Sequence, residues 1–148
     1  MNLFKSLSNY GEYLKEHPFH ENLMIDLSEY GAPEKKIQRD RIIDPNNKVP
    51  IPPELDDLIR LHYLAISRKV TTILEFGVGY STIAFDHALS VNKKKHGTFV
   101  KENLRRDNPF ECHSIDNHKK WIDYTKSNSN TRNVTFHHSD CHVSTFNS

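Results

Sequence analysis

Cysteine, glycine and long apolar runs are all scarce in this chain of 148 residues. Its two cysteines, Cys112 and Cys141, are too few for a disulfide framework and too far apart for a CxxC site, so we expect ordinary thiols in a reducing compartment. No window approaches the roughly 20 consecutive apolar residues of a membrane-spanning helix. The first residues also lack the apolar segment of a secretory signal. These absences predict a cytoplasmic protein without a membrane partner.

An excess of charge of either sign is also missing. The chain has 20 Lys and Arg against 19 Asp and Glu, which leaves a net charge of +1. A nucleic-acid partner therefore has no support from overall electrostatics, and the basic run between Lys93 and Arg106 is interpreted as a solvated face. Hydrophobic residues make up only 36 % of the chain, but eight Phe and six Tyr argue against disorder throughout.

The hydrophobic pattern divides the chain into a lead-in over residues 1–53 and a domain over residues 54–148. The lead-in combines amphipathic helix patterns at 2–15 and 20–30 with a proline-rich connector at 32–53. The domain alternates between helix and strand patterns: helix 54–67, strand 70–75, a helix from Ser81, strand 111–115, helix 118–127 and strand 134–137. This order predicts an α/β fold with a Rossmann-like parallel sheet, preceded by N-terminal helices.

Residues 92–109 are predicted to interrupt this alternation. Connections in α/β units usually have about 2–6 residues, and this longer stretch is rich in lysine and arginine. We therefore expect an insertion between the first helix of the sheet region and its second strand.

The residues after the first predicted strand carry the clearest functional pattern. Gly77 and Gly79 permit a sharp turn and a close approach of the backbone to a ligand. A dinucleotide site would have a third glycine where this chain has Thr82, and an acid about 20 residues further on, whereas Asp116 comes much later. A nicotinamide-dependent oxidoreductase is therefore the weaker alternative.

The same segment suits S-adenosylmethionine, which carries no phosphate. Its sulfonium and amino groups favour a nearby carboxylate, and Glu75 can supply one directly or hold the glycine loop through backbone amides. The hydroxyls of Ser81 and Thr82, with the helix N-terminus, can meet the methionine carboxylate. Asp116, at the tip of the second strand, can accept both ribose hydroxyls, cap the next helix, or do both.

Three segments, Ile73–Thr82, His113–Asp116 and Asn133–Asp140, together resemble class I (Rossmann-like) S-adenosylmethionine-dependent methyltransferases. The first resembles their motif I, the second their strand with the ribose-binding acid, and the third the strand whose trailing acid approaches adenine. The resemblance implies methyl transfer to an acceptor that the sequence does not identify. The cofactor-binding residues that it implies are Glu75, Gly77, Gly79, Ser81, Thr82, Asp116 and Asp140.

The family has a larger sheet than the three strands that can be read here. The resemblance therefore implies the cofactor-binding half of such an enzyme, truncated after the third strand, and it identifies no catalytic base. A second alternative follows: a non-catalytic interaction module whose open sheet edge pairs with another copy of the chain.

Two further groups of side chains are interpreted as structural. His137 and His138 lie close to Asp140 and His142, but alternation along a strand points the first two to opposite faces, and methyl transfer needs no metal. No metal site is therefore predicted. Trp121 and Tyr124 are expected to pack their helix onto the sheet.

Overall fold

The computed structural model describes residues 10–23, 54–106 and 109–140. The connector at 32–53, Cys141 and His142 lie outside these ranges, as do parts of the two predicted N-terminal helices. The described elements are α1 (Tyr10–Glu16), a 3₁₀ helix (Phe19–Leu23), α2 (Leu55–Ser67), β1 (Thr72–Phe76), α3 (Tyr80–Asn103), β2 (Glu111–Asp116), α4 (Lys119–Asn128) and β3 (Val134–His138). Across these ranges, no helix is both long and apolar enough to cross a bilayer.

The three strands form one parallel sheet in the order β1-β2-β3. Thr72 of β1 pairs with Glu111 of β2, and Cys112 of β2 pairs with Val134 of β3. Helices α3 and α4 connect successive strands, as parallel pairing requires. The predicted α/β class, with helices before a parallel sheet, is confirmed.

One face of this sheet is open to solvent over the described residues. Leu74 and Phe76 are 59 % and 79 % exposed, while Glu75 between them is buried. Because paired residues of neighbouring strands share a face, His113 and His137 lie on the same side as Leu74 and Phe76. We call these four residues the open sheet face. Strand β1 is therefore buried at Glu75, which Thr82 of α3 contacts, and exposed at Leu74 and Phe76 over the described residues.

The described N-terminal segment, residues 10–23, packs on α2 and α3, and we call it the N-terminal arm. Phe19 is fully buried, and α2 turns one apolar side toward it, as the spacing of its apolar residues predicts. The main core cluster contains Phe19, Leu23, Leu58, Ile59 and Ala84.

Helix α3 is longer than predicted and replaces most of the expected insertion. It runs without a break to Asn103, so the lysine-rich stretch is helical and exposed, as suits a straight-chain residue with high helix propensity. Asn92 is fully buried, and its Nδ2 donates to the backbone oxygens of Ala65 (3.0 Å) and Val70 (2.9 Å). These two hydrogen bonds hold α3 against the end of α2 and the start of β1, at the point along α3 where its apolar pattern ends.

Helix α4 packs through residues other than the predicted pair. Ile122 and Thr125 are buried, whereas Tyr124 is 49 % exposed and contacts Trp121 edge-to-face at 6.0 Å. The expectation that Tyr124 packs on the sheet is wrong. The buried side of α4 carries Ile122 and Thr125, and Tyr124 is adjacent to Thr125 in sequence but lies on a more exposed side.

Candidate functional site

The chain turns sharply where β1 ends. Gly77 has a φ of +98°, a left-handed conformation that favours glycine. Its N–H donates to the Ile115 oxygen at 2.8 Å, which ties the turn to β2. The first glycine of the motif is therefore required by the backbone itself.

Glu75 forms the buried centre of the site. Its carboxylate accepts hydrogen bonds from three hydroxyl groups: Ser81 Oγ at 2.5 Å, Thr82 Oγ1 at 2.7 Å and Ser114 Oγ at 2.6 Å. These bonds join the end of β1 to the first turn of α3 and to β2. Glu75 thus holds the glycine loop, as one of the two predicted roles requires, but through side-chain hydroxyls instead of backbone amides.

Asp116 joins the loop to the start of α4. Its Oδ2 accepts the Val78 N–H at 2.8 Å, and its Oδ1 accepts the His118 N–H at 2.6 Å. The predicted helix-capping role is wrong: His118 is the N-cap residue of α4 and makes no side-chain cap, and Asp116 instead holds the turn that precedes the helix. A carboxylate oxygen has two lone pairs, so each oxygen keeps acceptor capacity for a further donor such as a ribose hydroxyl.

Gly79 is the N-cap residue of α3, a position where glycine is common but not required. Its φ of −174° is extended backbone that any residue adopts, and a Cβ built on it would meet nothing within 4 Å. Its N–H donates to Thr82 Oγ1 at 3.1 Å, a bond that any residue other than proline could make. The space in front of Gly79 is open, and close approach of a ligand gives a reason for the missing side chain.

The predicted site residues do not all come together. Thr82 is fully buried and its hydroxyl is occupied by Glu75 and Gly79, so it supports the loop and does not face a ligand. Ser81 likewise donates to Glu75. The Asp140 carboxylate is 85 % exposed and lies 3.5 Å from His138 Nε2; it follows Ser139, whose N–H donates to the Asp116 backbone oxygen at 3.0 Å.

Ser114 is the functional residue that sequence reasoning missed. It is fully buried and pairs in register with Glu75 across β1 and β2. Its neighbour on the same face, Cys112, is also buried, and burial raises the pKa of that thiol to about 11, so Cys112 is not a nucleophile at neutral pH. A serine two residues before Asp116 could have been linked to Glu75 only with the strand register known.

An acidic group at the start of α2 is one candidate cation site. Among the described residues, Glu54, Asp56 and Asp57 at the start of α2 are close enough to share an ion. Asp56 and Asp57 already pair with Arg60 and complement the positive end of the helix. Stabilisation of α2 accounts for all three.

The site can hold a small polar molecule but contains little for proton transfer. It combines an open glycine backbone, the acceptor oxygens of Asp116 and the N-terminus of α3, where the N–H groups of Tyr80 and Ser81 come before Thr82, the first to donate to a carbonyl at this helix end. Comparison of the chain with protein-family models, with curated proteins and with solved structures found no match. The geometry of the loop between β1 and α3 therefore carries the functional assignment.

Proposed function

We propose that the loop between β1 and α3, together with the end of β2, binds S-adenosylmethionine, and that the chain supplies the cofactor site of a class I methyltransferase. The observation that carries this proposal is Gly79. It lies in the loop between β1 and α3, where a Cβ would meet nothing within 4 Å and neither backbone conformation nor packing requires a glycine.

Each group in the loop has a distinct role in the proposal. Gly77 and Gly79 let the backbone approach the methionine part of the cofactor, whose carboxylate meets the N-terminus of α3. Asp116 accepts the ribose hydroxyls with its remaining lone pairs. Glu75 is a positioning residue, since its carboxylate binds the hydroxyls that hold the loop.

The cofactor supplies the activated methyl group, and the protein orients it and excludes water. The methyl acceptor is unidentified. None of the groups at this site is assigned as a catalytic base.

Isothermal titration calorimetry with S-adenosylmethionine tests the proposal. Gly79→Ala should weaken binding by about tenfold or more, because the added Cβ occupies the space of the ligand. A thermal melt without cofactor checks that the variant is folded, since alanine is a poorer N-cap residue than glycine and should cost up to about 1 kcal/mol. Gly97→Ala is the matched control, since its Cβ also meets nothing and it lies far along α3.

Asp116→Ala should weaken binding by more than about tenfold if the carboxylate holds the ribose through charge-assisted bonds. Asp123→Ala, which removes an exposed acid of α4, controls for net charge. The proposal fails if neither this chain nor a longer form shows heat or thermal protection at roughly 1 mM cofactor.

A second candidate function is a non-catalytic module that associates with its own copy through the open sheet face and the β1 edge. The exposure of Leu74 and Phe76 favours it, because strands with free edges and apolar faces pair readily. Light scattering should then detect a dimer that Phe76→Lys dissociates. Phe99→Lys, at a 66 % exposed phenylalanine of α3, should leave the dimer intact. A monomeric wild-type chain excludes this candidate.

A further inference from the structure

Two histidines of the open sheet face lie side by side on neighbouring strands. His113 of β2 is paired with Thr135, and His137 stands two residues further along β3, so the two imidazoles are diagonal neighbours. His113 Nδ1 and His137 Nε2 are 3.0 Å apart, and the ring centroids are 5.2 Å apart. His138 points away and contacts the Asn117 oxygen at 3.2 Å. Alternation thus separates His137 from His138, as predicted, but it brings His137 to a histidine of another strand.

A carboxylate stands behind one of these rings. Glu111 lies two residues before His113 on the same face, and its Oε1 is 3.4 Å from His113 Nε2. The same carboxylate pairs with Arg106. A proton on Nε2, facing Glu111, leaves the lone pair of His113 at Nδ1, the nitrogen that faces His137. A carboxylate on the far nitrogen is the partner that metal-ligating histidines usually have, because it selects the tautomer and orients the ring.

We propose that His113 Nδ1 and His137 Nε2 form a two-histidine site for a divalent late transition metal, with copper(II) or nickel(II) as the preferred ions. In the free protein His137 donates its Nε2 proton to His113; when the metal binds, His137 carries its proton on Nδ1 instead, and the Nε2 lone pair is free for the metal. With metal–nitrogen distances of about 2.0–2.1 Å, a 3.0 Å separation corresponds to an angle of about 91–97° at the metal. That angle suits adjacent positions of a square-planar or octahedral complex, and imidazole is a ligand that these ions favour.

The strands make the site rigid, and its position leaves the metal accessible. β2 and β3 are hydrogen-bonded neighbours, so both nitrogens are held in place before binding, which lowers the entropy cost. His137 is exposed and His113 is half-buried, and water completes the coordination. The site uses no group of the proposed cofactor loop, so it stands or falls independently of S-adenosylmethionine binding.

Titration calorimetry of the full, untagged chain with nickel(II) chloride at neutral pH tests the site. The wild-type chain should bind one ion more tightly than the rest, and His113→Asn or His137→Asn should weaken that step by about tenfold or more. His138→Gln is the matched control, because it removes an exposed histidine from the same strand and should leave the tight step unchanged. Thermal melts without metal show whether each variant is folded.

Glu111→Gln provides a second test, because nonspecific binding of nickel to surface histidines would not depend on this carboxylate. Loss of the carboxylate should weaken the nickel step by about 10–100-fold while both ligands remain. In parallel, the electron paramagnetic resonance spectrum of the copper(II) complex should show two nitrogen donors in the wild-type chain and fewer in His137→Asn.

The proposal is overturned if His138→Gln weakens binding as much as His137→Asn does. That result would mean that the ten histidines of the chain bind nickel collectively. Binding no tighter than about 1 mM would overturn it as well.

Discussion

Acid should destabilise this protein through His62, a histidine buried between the N-terminal arm and α3. The ring is fully buried and stacks on Phe19 at 4.5 Å. The Tyr13 hydroxyl lies 2.7 Å from His62 Nδ1, and His87 Nδ1 lies 2.8 Å from His62 Nε2. Both ring nitrogens therefore have a hydrogen-bond partner, and a neutral ring satisfies them in either tautomer. Burial, with His87 and His17 adding positive charge nearby, lowers the pKa of His62 to about 2.

The size of the effect follows from proton linkage. An unfolded histidine has a pKa of about 6.5, so the folded state excludes a proton that the unfolded state binds below that pH. The contribution of His62 is complete above about pH 6.5 and is lost as the pH falls toward 2. One excluded proton corresponds to about 1.4 kcal/mol per pH unit, which amounts to about 3 kcal/mol between pH 6.5 and 4. Burial also lowers the pKa of His17 and of His87, so their contributions have the same sign.

Urea unfolding from about pH 7.5 to about pH 4 measures this dependence. His62→Gln should be less stable than the wild-type chain at neutral pH, because the neutral replacement packs and bonds less well. Its free energy of unfolding should fall less steeply with acid, by about one proton. His118→Gln, which removes an exposed histidine at the start of α4, should keep the wild-type slope. The reasoning is refuted if His62→Gln retains the full slope.

Three substitutions test the polar anchors by urea unfolding. Asn92→Leu should cost about 2 kcal/mol, because the Val70 oxygen loses the Asn92 donor while the Ala65 oxygen keeps the Val70 N–H at 3.0 Å; a loss below about 1 kcal/mol would show that α3 does not depend on this anchor. Ser114→Ala should cost about 2 kcal/mol by removing one of three donors to Glu75, and unchanged stability would contradict the role assigned to that carboxylate. Asp86→Ala should cost about 2 kcal/mol, since its Oδ1 accepts the Asn133 N–H at 2.7 Å before β3; amide exchange in β3 should also accelerate, and unaltered exchange would argue against this link.

Local sequence pattern was enough to predict the elements of the sheet region. The apolar side of α2, the β-branched run of β1 and the glycine at its end are short-range features, so their periodicity is visible without a fold. The conformation at Gly77 is likewise a local property of the backbone. The same approach failed over residues 92–103, because the helix there depends on Asn92 bonding to elements more than 20 residues away.

The sequence by itself therefore determined the order of the elements, the parallel α/β class and the position of the glycine loop. Only the tertiary structure decided which side chains meet. Glu75 reaches Ser114, and His113 reaches His137, through strand register. His62 is held by a tyrosine from the N-terminal arm. Hydrogen bonds act over about 3 Å, whereas these partners are 24 to 49 residues apart along the chain. These hydrogen bonds can form only after the chain has folded and brought the partners together.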